Sequence, residues 1–101
     1  MCGIAGVIDL AGLDPAATRL ALTHANIRLA PRGPDGEGIW IGAQAAFAHR
    51  RLAIIALGPD GAQPMHGHGL SITYNGEIYN HAEIRRELES AGRRFATGSD
   101  T

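Results

Sequence analysis

MCGIAGVID, residues 1–9, combines a cysteine next to the N-terminus with an apolar run. Residues 3–9 are a short apolar run that ends at a polar residue, which predicts a buried strand. Cys2 stands directly before that strand and is the only cysteine. If Met1 is removed, the Cys2 thiol (pKa ~8.5) and a free α-amine (pKa ~8) share one residue and can exchange a proton at neutral pH. A small buried apolar cysteine is the structural alternative.

The remaining patterns predict a strand, a helix, several strands and a second helix. Asp14-Pro15 predicts a helix start and Pro31 its end, while Asn80 predicts a capping-box-like start and Gly92 an end. The other predicted strands are residues 39–41, 45–48, 52–57 and 70–74, with a turn-rich connection over residues 58–69. Because strands come in runs rather than alternating with helices, we expect an α+β fold with an antiparallel sheet.

Length and composition narrow the class of protein. The 101 residues allow one domain, and 9 basic against 10 acidic residues provide no positive field for nucleic acid. One cysteine forms no internal disulfide, and neither a signal peptide nor an apolar run of ~18 residues is present. We expect a cytoplasmic protein without nucleic-acid or membrane partners. Residues 98–101 have the chemistry of a helix start with nothing after them, so we expect an N-terminal piece of a longer chain.

Four polar stretches are candidates for a site. They are RGPD (residues 32–35), HRRLAI (49–54), YNGEIYN (74–80) and GSD (98–100). If the four stretches have only structural roles, they are, in the same order, a turn, a solvated strand end, a second turn and a helix cap. Chemically, the guanidinium groups of the second stretch can clamp a carboxylate. Asn75 and the Gly76 N–H can form an oxyanion hole, and Glu77 can accept from a substrate ammonium.

These stretches, together with MCGI (residues 1–4) and QPM (63–65), resemble class II glutamine amidotransferases, and they occur in the same order from Cys2 to Thr101. They are most similar to the glutaminase domain of glutamine-hydrolysing asparagine synthetases. The resemblance implies an N-terminal-nucleophile αββα sandwich with antiparallel sheets. Residues 1–101 would be the N-terminal part of that domain. An ATP- and Mg²⁺-dependent synthetase domain would lie outside it, and this segment would bind no cofactor or metal.

The resemblance also implies roles for individual residues. Cys2 would be the nucleophile and its α-amine the general base, with the loop that begins at Arg32 beside it. Asn75 and Gly76 would hold the oxyanion. The residues that would bind L-glutamine are Arg51 at the α-carboxylate, Glu77 and Asp100 at the α-ammonium, and the main chain of Leu52 and Ile54. Ammonia released there would convert aspartate to asparagine.

Three alternatives to a glutaminase that serves asparagine synthesis remain open. His66 and His68, joined by His24, His49 or His81, could form a metal-binding module, although no spacing matches a zinc pattern. A non-catalytic remnant domain is the second alternative. The third keeps the glutaminase but serves a different acceptor, since nothing in these residues chooses one. If the protein is oligomeric, we expect a homodimer.

Overall fold

The computed structural model describes residues 1–55 and 57–101 as an α+β fold with two antiparallel sheets and two helices. In chain order the elements are β1 (Gly3–Ile8), α1 (Pro15–Leu29), β2 (Gly36–Ile41), β3 (Ala45–Arg51), a 3₁₀ turn (Pro59–Gly61), β4 (Met65–Gly67), β5 (Leu70–Ile72) and α2 (His81–Ser90). One sheet has the order β1-β3-β2, and β4 pairs with β5 in the other. The predicted α+β class is confirmed, and the arrangement is consistent with part of an αββα sandwich.

Helix α1 covers one face of the three-stranded sheet. It begins as predicted, because Oδ1 of Asp14 accepts a hydrogen bond from the Ala17 N–H at 2.8 Å. Leu22 is 4% exposed and packs on Ala46 and Ala48, whose small side chains let the helix lie close to β3. This contact forms the apolar core.

The opposite face of the same sheet carries larger side chains, because successive residues of a strand alternate between faces. Phe47 and Trp40 lie together there, with ring centroids 5.5 Å apart, and Trp40 also approaches His66 of β4 at 5.8 Å. His49 is fully buried, and its Nδ1 lies 3.0 Å from the Thr73 hydroxyl. The second sheet and the residues that follow it are therefore held against this face.

The predicted strand over residues 52–57 is wrong. β3 is instead longer than predicted, and it ends at Arg51. After that, side chains take up the main-chain donors: the Leu52 N–H donates to Sγ of Cys2 at 3.3 Å, and the Ala53 N–H donates to Oδ2 of Asp35 at 2.8 Å. Backbone bonded in this way does not continue a ladder. Residue 56, within the predicted strand, lies outside the described residues.

Smaller differences concern turns and helix ends. Residues 58–69 contain the 3₁₀ turn and β4, and His68 and Gly69, with φ of 51° and 75°, make the tight turn between β4 and β5. Asn80 precedes α2, but its side chain makes no cap hydrogen bond. Gly92, with φ of 86°, follows the end of α2 as predicted. In the described part of the chain, neither helix has the length and apolar character needed to cross a membrane.

Candidate active site

A single cleft gathers the residues predicted to act on glutamine. It encloses about 530 Å³, including the solvent at its mouth. The predicted residues that line it are Cys2, Arg51, Leu52, Ile54, Asn75, Gly76, Glu77 and Asp100. They come from the start of β1, the end of β3, the segment after β5 and the end of the chain. Folding therefore brings together every predicted site residue, although these stretches are far apart in sequence.

The strand register brings the thiol and the guanidinium together. Gly3 pairs with Arg50 across β1 and β3, so Cys2, one position earlier, stands beside Arg51, one position later. Directly opposed residues of an antiparallel pair point to the same face of the sheet. The pairing therefore accounts for the presence of both side chains in one cleft.

Main-chain groups hold Cys2 in place. Its Sγ accepts a hydrogen bond from the Leu52 N–H at 3.3 Å and lies 3.7 Å from the Leu52 carbonyl oxygen, within reach of the S–H. Nε of Arg32 donates to the Cys2 carbonyl at 3.1 Å, so the Arg32 loop lies beside the cysteine. Met1, which directly precedes Cys2, is 64% exposed.

The RGPD loop also fixes the end of β3. A Cβ on Gly33 would overlap the backbone of Arg50, so only glycine allows this close approach. The Asp35 N–H donates to the Arg51 carbonyl at 2.9 Å, and the Asp35 carboxylate accepts from the Ala53 N–H at 2.8 Å. The loop thus supports the main chain that carries Arg51. Asp35 has no role in the sequence-based prediction, although its place in a Pro-Asp turn is a usable signal.

Arg51 also shapes the wall of the cleft. Its Nη1 donates to the Gly58 carbonyl at 2.7 Å and its Nη2 to the Ile55 carbonyl at 3.3 Å. A guanidinium has five N–H donors in a fixed fork, so one arginine can hold loop carbonyls and a carboxylate at the same time. Arg51 therefore combines a structural contact with a position suited to an anion.

The Asn-Gly segment follows β5 and is anchored at its start. The Tyr74 N–H donates to Oε1 of Gln63 at 2.6 Å. A Cβ on Gly76 would come within 2.5 Å of the Tyr74 hydroxyl oxygen, so a side chain there would require the Tyr74 ring to shift. Asn75 is half-buried and Gly76 is exposed in the cleft wall. One side-chain amide and one unobstructed main-chain N–H are the donor types an oxyanion hole uses.

Two carboxylates complete the cleft. Oδ2 of Asp100 accepts a hydrogen bond from the Ile78 N–H at 2.9 Å, which ties the end of the chain to the residue after Glu77. Arg85 of α2 donates to the main-chain carbonyls of Thr97 and Ser99. The cleft therefore contains one guanidinium and two carboxylates, the charges that complement an amino-acid zwitterion.

His49 lies behind the cleft, and its imidazole is uncharged near neutral pH. Burial, and then the positive charge of Arg51, lower the pKa of His49 below its ordinary value of 6.5. The buried Nε2 has no hydrogen-bond partner among the described residues. Within residues 1–55 and 57–101, no group of three His, Cys, Asp or Glu side chains is arranged to hold a metal ion. Within these residues, His66 and His68 therefore do not belong to such a group.

Several lining residues had no predicted role. They are Met1, Ile55, Gly61, Gln63, Tyr74, Ser99 and Thr101. In the sequence, Gln63 belongs to the QPM stretch and Tyr74 precedes the Asn-Gly turn. A glutamine beside proline in a glycine-rich loop was the available signal for Gln63. Its two bonding partners lie 11 and 38 positions away, which local patterns do not reveal.

The whole chain, residues 1–101, matches the family model described as a glutamine amidotransferase domain. The chain therefore belongs to the family of glutamine amidotransferase domains, as its motifs predicted.

Within that family, the chain is similar to proteins named glutamine-hydrolyzing asparagine synthetase. The one from Brassica oleracea is 45% identical over 103 residues, which cover 99% of this chain and 17% of the relative. Asparagine synthetase 3 of Bacillus subtilis (strain 168) is 35% identical over 105 residues, which cover 100% of this chain and 17% of the relative. Asparagine synthetase 1 of Arabidopsis thaliana is 40% identical over 102 residues, which cover 99% of this chain and 17% of the relative. The chain thus spans 17% of the length of these curated relatives.

Proposed function

We propose that this chain hydrolyses the side-chain amide of glutamine, with Cys2 as the nucleophile once Met1 has been removed. The observation that carries the proposal is the convergence of a lone thiol, an amide donor and both kinds of charge in one cleft. Membership of the amidotransferase family supports it independently. The exposure of Met1 supports the removal that frees the α-amine of Cys2.

Substrate binding uses the charges of the cleft. Arg51 binds the α-carboxylate of glutamine, while Glu77 and Asp100 bind its α-ammonium. Main-chain groups of Leu52 and Ile54 complete the contacts. A zwitterion fixed at both charged groups has its side-chain amide directed to one place, which lowers the entropic part of the barrier.

The reaction proceeds through a thioester. The α-amine of Cys2 takes the thiol proton, and Sγ attacks the amide carbon, so that the carbonyl oxygen becomes an oxyanion. Asn75 and the Gly76 N–H donate to that oxygen. The proton passes to the amide nitrogen, the C–N bond breaks and ammonia leaves. Water then attacks the thioester, and glutamate is released with the thiol restored.

The released ammonia serves an amidation elsewhere in a longer chain. The relatives named asparagine synthetase suggest that aspartate is the acceptor and that asparagine is the product. ATP and Mg²⁺ would act in a synthetase domain of that longer protein. A glutaminase that serves another acceptor has the same cleft, so the acceptor is tested separately by offering aspartate and other carboxylic acids with free ammonia.

The experiment is Cys2→Ala in the full-length protein. We expect loss of glutamine-dependent product formation, with activity on free ammonia retained, because only the source of ammonia is removed. Equal loss of both activities would contradict the assignment. Mass spectrometry of active protein should show Cys2 as the first residue, and a retained Met1 would also count against it. The thiol-alkylating glutamine analogue 6-diazo-5-oxonorleucine should label Cys2.

A further inference from the structure

Gln63 is half-buried in the wall of the cleft, and its side chain forms hydrogen bonds with two parts of the site. Its Oε1 accepts from the Tyr74 N–H at 2.6 Å, and its Nε2 donates to the Thr101 hydroxyl at 3.1 Å. Tyr74 directly precedes Asn75, and Thr101 directly follows Asp100. We propose that Gln63 is a positioning residue that holds the oxyanion hole and the ammonium site at a fixed separation. This inference rests on the proposed function.

The main chain of Gln63 is itself fixed to the sheet that carries the nucleophile. A Cβ on Gly38 of β2 would overlap the Gln63 carbonyl, so this loop packs directly on β2 without an intervening side chain. Site geometry is most precise when supporting residues are locked onto a rigid element. Gln63 therefore links the backbone after β5 and the backbone at residues 100–101 to the sheet beside Cys2.

Three other sets of contacts among the described residues support this arrangement. His49 binds Thr73, which fixes the start of the Asn-Gly segment to β3. Arg85 holds the main chain at Thr97 and Ser99 from the side of α2. The Asp100–Ile78 bond also joins the two segments, but it uses a carboxylate that the proposed function assigns to the substrate. Gln63 joins them without using a substrate-binding group.

The chemistry of the side chain explains why glutamine suits this position. A carboxamide presents an acceptor and a donor on one planar group, so it can bind a main-chain N–H and a hydroxyl oxygen at once. Methionine has a similar length and shape but makes neither bond with comparable strength. Gln63→Met therefore removes the two hydrogen bonds and keeps most of the packing.

The test compares glutamine kinetics of three variants in the full-length protein. Gln63→Met should lower kcat/KM for glutamine about tenfold or more, with kcat reduced and KM raised, because both sites lose their fixed separation. Thr101→Val removes one acceptor and should raise KM about threefold or more with kcat nearly unchanged. Gln44→Met is the matched control, since Gln44 bonds the Leu10 carbonyl at 2.8 Å outside the cleft.

A double-mutant cycle tests whether the effect of Thr101→Val on glutamine kinetics depends on Gln63. Thr101→Val should have little further effect in the Gln63→Met background, because its partner is already gone. Activity on free ammonia should be unchanged in every variant. Full additivity, or a Gln63→Met protein with wild-type glutamine kinetics, would overturn the positioning role while leaving the proposed function standing. A wild-type protein without glutaminase activity would overturn both.

Discussion

The two halves of the chain differ in the contacts that stabilise them. Residues 1–51 contain α1 and the three-stranded sheet, with Leu22, Ala46 and Ala48 as the apolar core. Residues 57–101 contain two three-residue strands and a helix of which no residue is buried. Hydrogen bonds from side chains such as Gln63 and Arg85 hold that second half. The proposed nucleophile therefore lies on an apolar scaffold, and most of the proposed recognition groups depend on polar contacts.

The largest expected effect tests the apolar scaffold. Leu22→Ala should lower the free energy of unfolding by about 2–5 kcal/mol, because it leaves a cavity between α1 and β3. Urea unfolding measures the loss. Leu20→Ala, on the same helix at a residue that is 59% exposed, is the control and should cost far less. Equal losses would show that the outer face of α1 is also covered in the full-length protein.

Asn75→Ala tests the proposed catalytic role of the second half rather than its stability. We expect kcat for glutamine hydrolysis to fall about 10²–10³-fold, or ~3–4 kcal/mol, because an oxyanion donor is lost. The thermal midpoint should change little. Asn80→Ala is the control, since the Asn80 side chain makes no capping bond. If a fall in stability accounts for the lost rate, Asn75 has a structural role and is not an oxyanion donor.

Arg51→Lys tests the point where the halves meet. Lysine keeps the charge but lacks the planar fork, so KM for glutamine should rise about tenfold with kcat little changed. Arg50→Lys is the neighbouring control, because Arg50 pairs with Glu37 at 2.8 Å and does not line the cleft. An unchanged KM in Arg51→Lys would remove Arg51 from substrate binding.

The smallest effect concerns His49 and pH. The folded state lowers the pKa of His49, so as pH falls below about 6.5 the unfolded chain takes up a proton that folded His49 does not. The free energy of unfolding should therefore decrease as pH falls from about 7.5 to 5.5. His49→Gln should make that decrease smaller, whereas His24→Gln, at an exposed position of α1, should not. Identical pH dependence in both variants would contradict the buried, neutral imidazole.

Local sequence patterns predicted helix α1 and the places of the strands in residues 1–51, but β1, predicted to be buried, leaves Ile4 and Ile8 46% and 71% exposed. Asp14 caps α1 as predicted, since cap chemistry is local. The predicted strand over residues 52–57 failed, because an apolar run does not show that Cys2 and Asp35 will take its backbone donors. The predicted site residues do meet in one cleft, but family resemblance rather than periodicity supplied that list. Gln63 was missed as a bridge because both partners are distant in sequence.

The antiparallel pairing of β1 with β3 has a consequence for insertions and deletions. Gly3 opposes Arg50 and Ile8 opposes Ala45, an unbroken register. Deleting one residue between positions 45 and 51 would bring Leu52 opposite Cys2 and reverse the facing of the displaced side chains. Changes in length should therefore be tolerated at the tip of the β4–β5 hairpin, near residues 68–69, and rejected inside β3.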